Sequence, residues 1–167
     1  MLCALIILGV VLADQISKWL ILELLSEPVS IIPHVLSFEY ATNTGMAWGM
    51  LKDHRWVFMT LSVVALVGFT YLYYKEVKKP HLLFTVAVGF ILGGGVGNMI
   101  DRLFREGGGV VDFFRTDFID FPIFNVADVF ITVGGALLVI YMIFLDKKQA
   151  FPVVFDSKGD KNDSSDI

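Results

Sequence analysis

The sequence predicts an all-α membrane protein: four transmembrane helices, with a small sheet and a short helix in the first external loop. Three observations carry that expectation. The chain of 167 residues is 56% hydrophobic and 18% charged, with a mean hydropathy of +0.70, whereas a soluble domain is roughly 45–50% apolar. Four apolar runs divide it, each close to the about 20 residues that cross hydrocarbon. Lysines gather after the second run (Lys75, Lys78, Lys79) and after the fourth (Lys147, Lys148), while the stretches 26–55 and 101–123 each carry more acids than bases. The positive-inside rule then puts both termini in the cytoplasm and both long connections outside.

Met1 to about Leu25 is the first run, with Asp14 and Lys18 in its second half. It lacks the basic start and small-residue cleavage site of a signal peptide and reads as a retained span. From Ser26 to Arg55 the pattern changes to short β-prone runs punctuated by Pro28, Pro33, Gly45 and Gly49, which suggests a small sheet on the membrane surface and a short Met- and Trp-rich helix. Trp56 to Tyr74 is the second span, closed by an interfacial belt of Tyr71, Tyr73 and Tyr74. His81 to Ile100 is the third, and Gly93, Gly94, Gly95 and Gly97 near its far end allow close helix approach. Asp101 to Ile123 reads as the second external loop, and Phe124 to Leu145 as the fourth span. Residues 1–145 thus form one membrane-embedded domain, and residues 146–167 a polar cytoplasmic tail of disordered composition.

Composition also excludes several functions. A net charge of −4 does not suit nucleic acid. The single cysteine, Cys3, rules out an internal disulfide or a cysteine zinc cluster, and the histidines at 34, 54 and 81 are scattered without metal-ligand spacing.

Ionisable residues in the spans share one depth. Asp14 and Lys18 lie in the outer half of span one, Asn98, Asp101 and Arg102 at the outer end of span three, and Asn125 and Asp128 at that of span four. The inner halves carry no Asp, Glu, Lys or Arg. A transporter needs polar groups through both leaflets, so this belt favours a site at the outer interface over a pore, with a small transporter or an assembly factor as the competing class. Bland roles exist for several members. Asp14 and Lys18 are spaced to neutralise each other, Arg102 suits a helix C-terminus, and Asn125 and Asp128 stand at capping-box spacing. Asp112, in an apolar VVDFF setting, has no evident capping or pairing partner among its neighbours, whereas Asp117 and Asp120 read as solvated charges. Ser17 beside Lys18 is a weak nucleophile candidate. Two carboxylates remain that are able to share a proton, one activating water while the other polarises a carbonyl.

The motifs DQISK at Asp14–Lys18, NTGMAWG at Asn43–Gly49, GGGVGNMIDR at Gly93–Arg102, VVDF at Val110–Phe113 and FNVAD at Phe124–Asp128, in this order and beside four apolar spans, resemble lipoprotein signal peptidase, or signal peptidase II. The resemblance implies that Asp112 and Asp128 form a catalytic dyad, and that Asp14, Asn43, Asn98, Arg102 and Asn125 match the polar residues around it; Lys18, Gly45 and Asp101, in the same motifs, complete the expected supporting set. It further implies cleavage of a prolipoprotein's signal peptide just before a diacylglyceryl-modified cysteine, in the bacterial inner membrane, with no metal or organic cofactor. The first external loop would form a β-cradle and a mobile lid helix, in which Met46 and Trp48 stand where the family often has a small residue and Phe. Membrane lipid and the lipidated substrate are the expected partners, and the protein is expected to act as a monomer. Gly45, Gly49 and the run Gly107–Gly109 would let the external loops move aside. Asp128, in the first turn of a helix, is expected to ionise before the desolvated Asp112.

Overall fold

The computed structural model describes residues 1–45, 55–76 and 81–145. Its elements in chain order are α1 (Leu2–Leu24), β1 (Val29–Ile32), β2 (Leu36–Asn43), α2 (Arg55–Glu76), α3 (Leu82–Phe104), a single 3-10 turn at Glu106–Gly108, β3 (Val110–Thr116) and α4 (Val126–Ile140), which ends in a π turn at Tyr141–Leu145. Met46, Trp48 and Gly49 of the expected lid helix, Lys78 and Lys79, and the expected tail lie outside the described residues. Among the described residues, Leu2–Leu24, Leu82–Phe104 and Val126–Leu145 are long and apolar enough to cross a membrane.

Large apolar side chains face outward on these helices. Leu5, Leu8, Leu12, Ile16 and Trp19 of α1 and Val129, Val133 and Ile140 of α4 are exposed, while Asp14, Lys18, Asn98, Asp101 and Asn125 are buried. Water would penalise both halves of that arrangement, whereas hydrocarbon around the helices removes the first penalty and internal pairing the second. Two apolar clusters bracket the polar layer. One joins Cys3, Phe84, Val88 and Leu92, with Leu66, Phe69 and Tyr73 of α2 and Leu138 of α4 packed on it. The other, at the opposite end of α1, joins Ile21, Val111 and Phe113 with Phe38, Phe114 and Val126.

Helix α3 is the central one, and its glycines are why. A Cβ on Gly94 would stand 2.5 Å from the Ala127 carbonyl oxygen of α4, and one on Gly97 would stand 2.5 Å from Asp14 Oδ2 of α1. No side chain fits there, so the three backbones close around the polar layer.

Two expectations are corrected. Span three does not stop at Ile100: the helix continues to Phe104, so Asp101 and Arg102 sit in its last turn instead of opening a loop. The stretch 101–123 is not all loop either. Val110–Thr116 forms a third strand, giving an antiparallel sheet in the order β1-β2-β3 that draws on both connections. The β-branched and aromatic residues of β3 favour a strand, but Val110 to Phe113 are buried on both faces, so the alternation that betrays a half-exposed strand is missing.

Candidate active site

Asp112 sits on β3, 2% exposed, between Val111 and Phe113, and register places it opposite Ala41 of β2. The absence of a partner among its sequence neighbours is misleading, because two asparagines from other elements supply donors. Asn43 Nδ2, at the end of β2, donates to Asp112 Oδ2 at 2.9 Å. Asn125 Nδ2 donates to Asp112 Oδ1 at 2.6 Å. Each amide is oriented by its other end. The Gly45 N–H donates to Asn43 Oδ1 at 3.0 Å, and the Asp128 N–H donates to Asn125 Oδ1 at 3.0 Å, so both NH₂ groups are turned to Asp112.

Asp128 combines two roles. Its Oδ2 accepts the Asn125 N–H at 3.1 Å, which closes the expected capping box at the start of α4. Its Oδ1 accepts from Asn98 Nδ2 of α3 at 2.8 Å. Asn125 therefore binds both carboxylates, Asp112 through its side chain and Asp128 through its backbone. Burial pushes the Asp112 carboxyl up to about 7; the Asn43 and Asn125 hydrogen bonds and the charge of Lys18 oppose that rise, and the charge of Asp128 adds to it.

Behind the pair, Lys18 does more than neutralise Asp14. Its Nζ reaches Asp14 Oδ2 at 2.9 Å, Asp101 Oδ2 at 2.8 Å and Asn98 Oδ1 at 3.0 Å. Arg102 Nη1 donates to the Asn98 carbonyl oxygen at 3.3 Å, in keeping with its place at a helix end, and Arg102 lies within electrostatic range of both Asp112 and Asp128. Ser17 Oγ donates to the Asp14 carbonyl oxygen at 2.7 Å, an ordinary helix contact. Asp117 is exposed, as expected of a solvated charge, and accepts from Ser37 Oγ at 2.5 Å. Asp120 is exposed.

Two further members of this polar network were not apparent from sequence. Arg105 pairs with Asp101 at 2.7 Å, and Gln15 Nε2 donates to Asp14 Oδ2 at 3.0 Å and to the Gly97 carbonyl oxygen at 3.2 Å. Both are i,i+4 or i,i+1 partners of residues already singled out, and that spacing is the signal that would have found them.

Asp128 opens on a cleft of about 540 Å³ whose wall also includes Asn43, Gly45, Arg102, Phe121, Phe124, Val129 and Val133. A mainly apolar wall with a few convergent polar groups is the usual form of a small-molecule or peptide site. Among the described residues no group of three or more His, Cys, Asp or Glu is arranged to hold a metal ion.

Outward-facing apolar helices around a buried polar layer, with two carboxylates bound by one asparagine beside a cleft, define a membrane protein with a two-aspartate centre. Comparison with known proteins gives the family. Residues 6–144 match the model of signal peptidase (SPase) II, and the chain belongs to that family. It is 42% identical over 142 residues to the lipoprotein signal peptidase of Symbiobacterium thermophilum, covering 83% of this chain and 91% of that protein. The lipoprotein signal peptidase of Anoxybacillus flavithermus is 43% identical over 136 residues, 79% of each chain. Among solved structures, a bacterial membrane enzyme determined at 2.3 Å superposes with a TM-score of 0.76 at 30% identity, covering 98% of this chain and 94% of that one. A second, at 1.9 Å, gives 0.75 at 33% identity, with 85% and 92% covered.

Proposed function

We propose that this protein is an aspartyl endopeptidase of the bacterial inner membrane that removes the signal peptide from prolipoproteins, cutting just before the diacylglyceryl-modified cysteine, with Asp112 and Asp128 as its dyad. The observation that carries the reading is the shared asparagine: both carboxylates hydrogen-bond to Asn125, and Asp112 has a proton affinity that keeps it substantially protonated near neutral pH. Asp128, on the cleft wall at a helix N-terminus that favours negative charge, is the base. It takes a proton from water as the water oxygen attacks the scissile carbonyl carbon, while Asp112 gives its proton to the carbonyl oxygen. Asp112 then recovers that proton as the C–O double bond re-forms, the C–N bond breaks, and Asp128 protonates the leaving nitrogen. The Asn43 amide on Asp112 Oδ2 is the contact that a bound carbonyl would replace.

In this reading α2, 22 residues long and about 33 Å at 1.5 Å per residue, is a fourth span. Both termini are cytoplasmic, the polar layer faces the outer leaflet, and a single copy suffices. The substrate's acyl chains hold its scissile bond at that depth. A transporter would need a polar path at the other end as well, where Cys3, Phe84, Val88 and Leu92 form a closed apolar cluster instead.

A cleavage assay on a diacylglyceryl prolipoprotein tests the proposal. Asp112→Asn and Asp128→Asn should each lose about a thousandfold or more in kcat while still inserting and folding, and the double variant should be little worse than either. Substantial activity in either single variant removes that residue from the dyad. A substrate without its diacylglyceryl group should turn over far more slowly, because the chains supply the positioning.

A further inference from the structure

The charges behind the aspartate pair have no part in the chemistry above, yet none of Asp14, Lys18 and Asp101 has any exposure. Lys18 Nζ spends all three of its donors inside the protein, on Asp14 Oδ2, Asp101 Oδ2 and Asn98 Oδ1. Both carboxylates reach on to backbone. Asp14 Oδ1 accepts the Ala127 N–H at 3.0 Å, and Asp101 Oδ2 accepts the Val111 N–H at 3.3 Å. Ala127 directly precedes Asp128, and Val111 directly precedes Asp112.

Asn98 is the third branch. Its Oδ1 accepts from Lys18 Nζ and from Asn125 Nδ2, at 3.0 Å each, and its Nδ2 donates to Asp128 Oδ1. Rotating this amide by half a turn would set its NH₂ against an ammonium and a second NH₂, and its oxygen against a carboxylate. Each of those contacts is repulsive, and the buried ammonium contributes the strongest.

We propose that Lys18 is a positioning residue for the aspartate pair: its ammonium turns the Asn98 amide toward Asp128, and it holds the two carboxylates that fix the backbone immediately before Asp112 and Asp128. The inference rests on the reading of those two aspartates as the reacting groups. Lys18 gathers α1, α3, β3 and the start of α4 onto one point charge, and near-attack geometry is sensitive to displacements of an ångström. Its charge also favours the ionised form of the pair. Among the described residues, the charged groups facing the pair are Asp14 and Lys18 from α1, Asp101 and Arg102 from α3, and Arg105 at the cap of α3. Together with Asp112 and Asp128 themselves, they leave Lys18 as the buried cation that contacts both a carboxylate cluster and the Asn98 amide.

The test uses the full chain in detergent or nanodiscs with a diacylglyceryl prolipoprotein. Lys18→Met strands two buried carboxylates, so the informative variants are Lys18→Gln, which keeps two donors without charge, and Lys18→Met/Asp101→Asn, which removes one charge of each sign. Both should keep a cooperative thermal transition and a KM near that of the wild type and lose about a hundredfold in kcat; Lys18→Gln should also show an activity profile displaced toward higher pH by about one pH unit, since losing the cation disfavours the ionised pair, and the double variant, which loses an anion as well, a smaller displacement. Wild-type kcat in either folded variant overturns the inference. So does a fall in kcat with an unmoved pH profile in Lys18→Gln, or the failure of both variants to fold, each of which would make Lys18 purely structural. Asp112→Asn and Asp128→Asn in the same assay separate the two levels: if either stays active the dyad reading fails, whereas if both are inactive and the Lys18 variants are normal, only this inference fails.

Discussion

Asp112 is one carboxyl group held among Val111, Phe113 and two asparagine amides, and its proton affinity bears on stability as well as on the proposed chemistry. Burial raises its pKa from an ordinary 3.8 to about 7. Between those values the folded state binds the proton and the unfolded state does not, so this group's contribution to stability falls as pH rises from about 4 to about 7. Asp112→Asn removes the titration. Whatever fixed amount an amide between two donor asparagines costs, the difference in Tm between Asp112→Asn and the wild type should become more favourable to the variant from pH 4 to pH 8; a constant difference would show that Asp112 is not buried as described. Asp120→Asn, at an exposed position, should leave cleavage within about twofold and stability within about 0.5 kcal/mol. At this scale the sequence was informative about type and poor about partners. The apolar flanks of Asp112 announced desolvation, but Asn43 and Asn125 lie 69 and 13 residues away, and only the closed fold brings their NH₂ groups to it.

At the scale of elements, the arrangement hangs on how closely α3 meets its neighbours. Gly94→Ala would force a methyl group to within 2.5 Å of the Ala127 carbonyl, and backbone there has little freedom to retreat because the Ala127 N–H is held by Asp14. It should lower stability by about 1–3 kcal/mol and reduce kcat, because the same shift moves Asp128. Gly95→Ala, whose methyl meets only the flexible end of Leu66 at 3.3 Å, is the matched control and should be mild in thermal unfolding and activity. Equal effects would separate α3–α4 proximity from the site. The glycine run was legible as a close-packing face, since small residues at that density in an apolar helix have few other uses. The capping box of Asn125 and Asp128 was legible too, because it is a local pattern. Strand β3 was not, since double-sided burial erases its period and its partner β2 lies across two helices of sequence.

For the molecule as a whole, the separation of lysine-rich and acidic connections fixes the proposed orientation. Single cysteines introduced near Ser30 and Gly108 should react with an impermeant thiol reagent added outside intact cells, and one near Lys78 should not. The opposite pattern would put the aspartate pair on the cytoplasmic side and remove the enzyme reading. Depth was the most legible global feature: Asp14, Asn98, Asp101, Asn125 and Asp128 fall at one level by counting along the spans, and the structure joins all five through hydrogen bonds or ion pairs. The attachment of Asp14, Asn98 and Asp101 to Lys18 was only partly visible, as its pairing with Asp14, because distance along one helix is readable from spacing and distance between helices is not.

The hydrogen bond from Ala127 to Asp14 joins the first helix to the last across 113 residues of chain, and this bears on how the protein is made. A chain emerging from the ribosome delivers Asp14 and Lys18 to the membrane early and the start of α4 at the end of the domain. Until α4 arrives, Asp14 Oδ1 lacks its backbone partner, Asp112 lacks Asn125, and Asp128, the proposed base, is not yet at the site. On the proposed dyad, proteolytic competence is thereby tied to the completion of insertion. A chain truncated before Val126 leaves Asp14 Oδ1 without its backbone partner inside the bilayer, at the cost of an unsatisfied buried carboxylate oxygen.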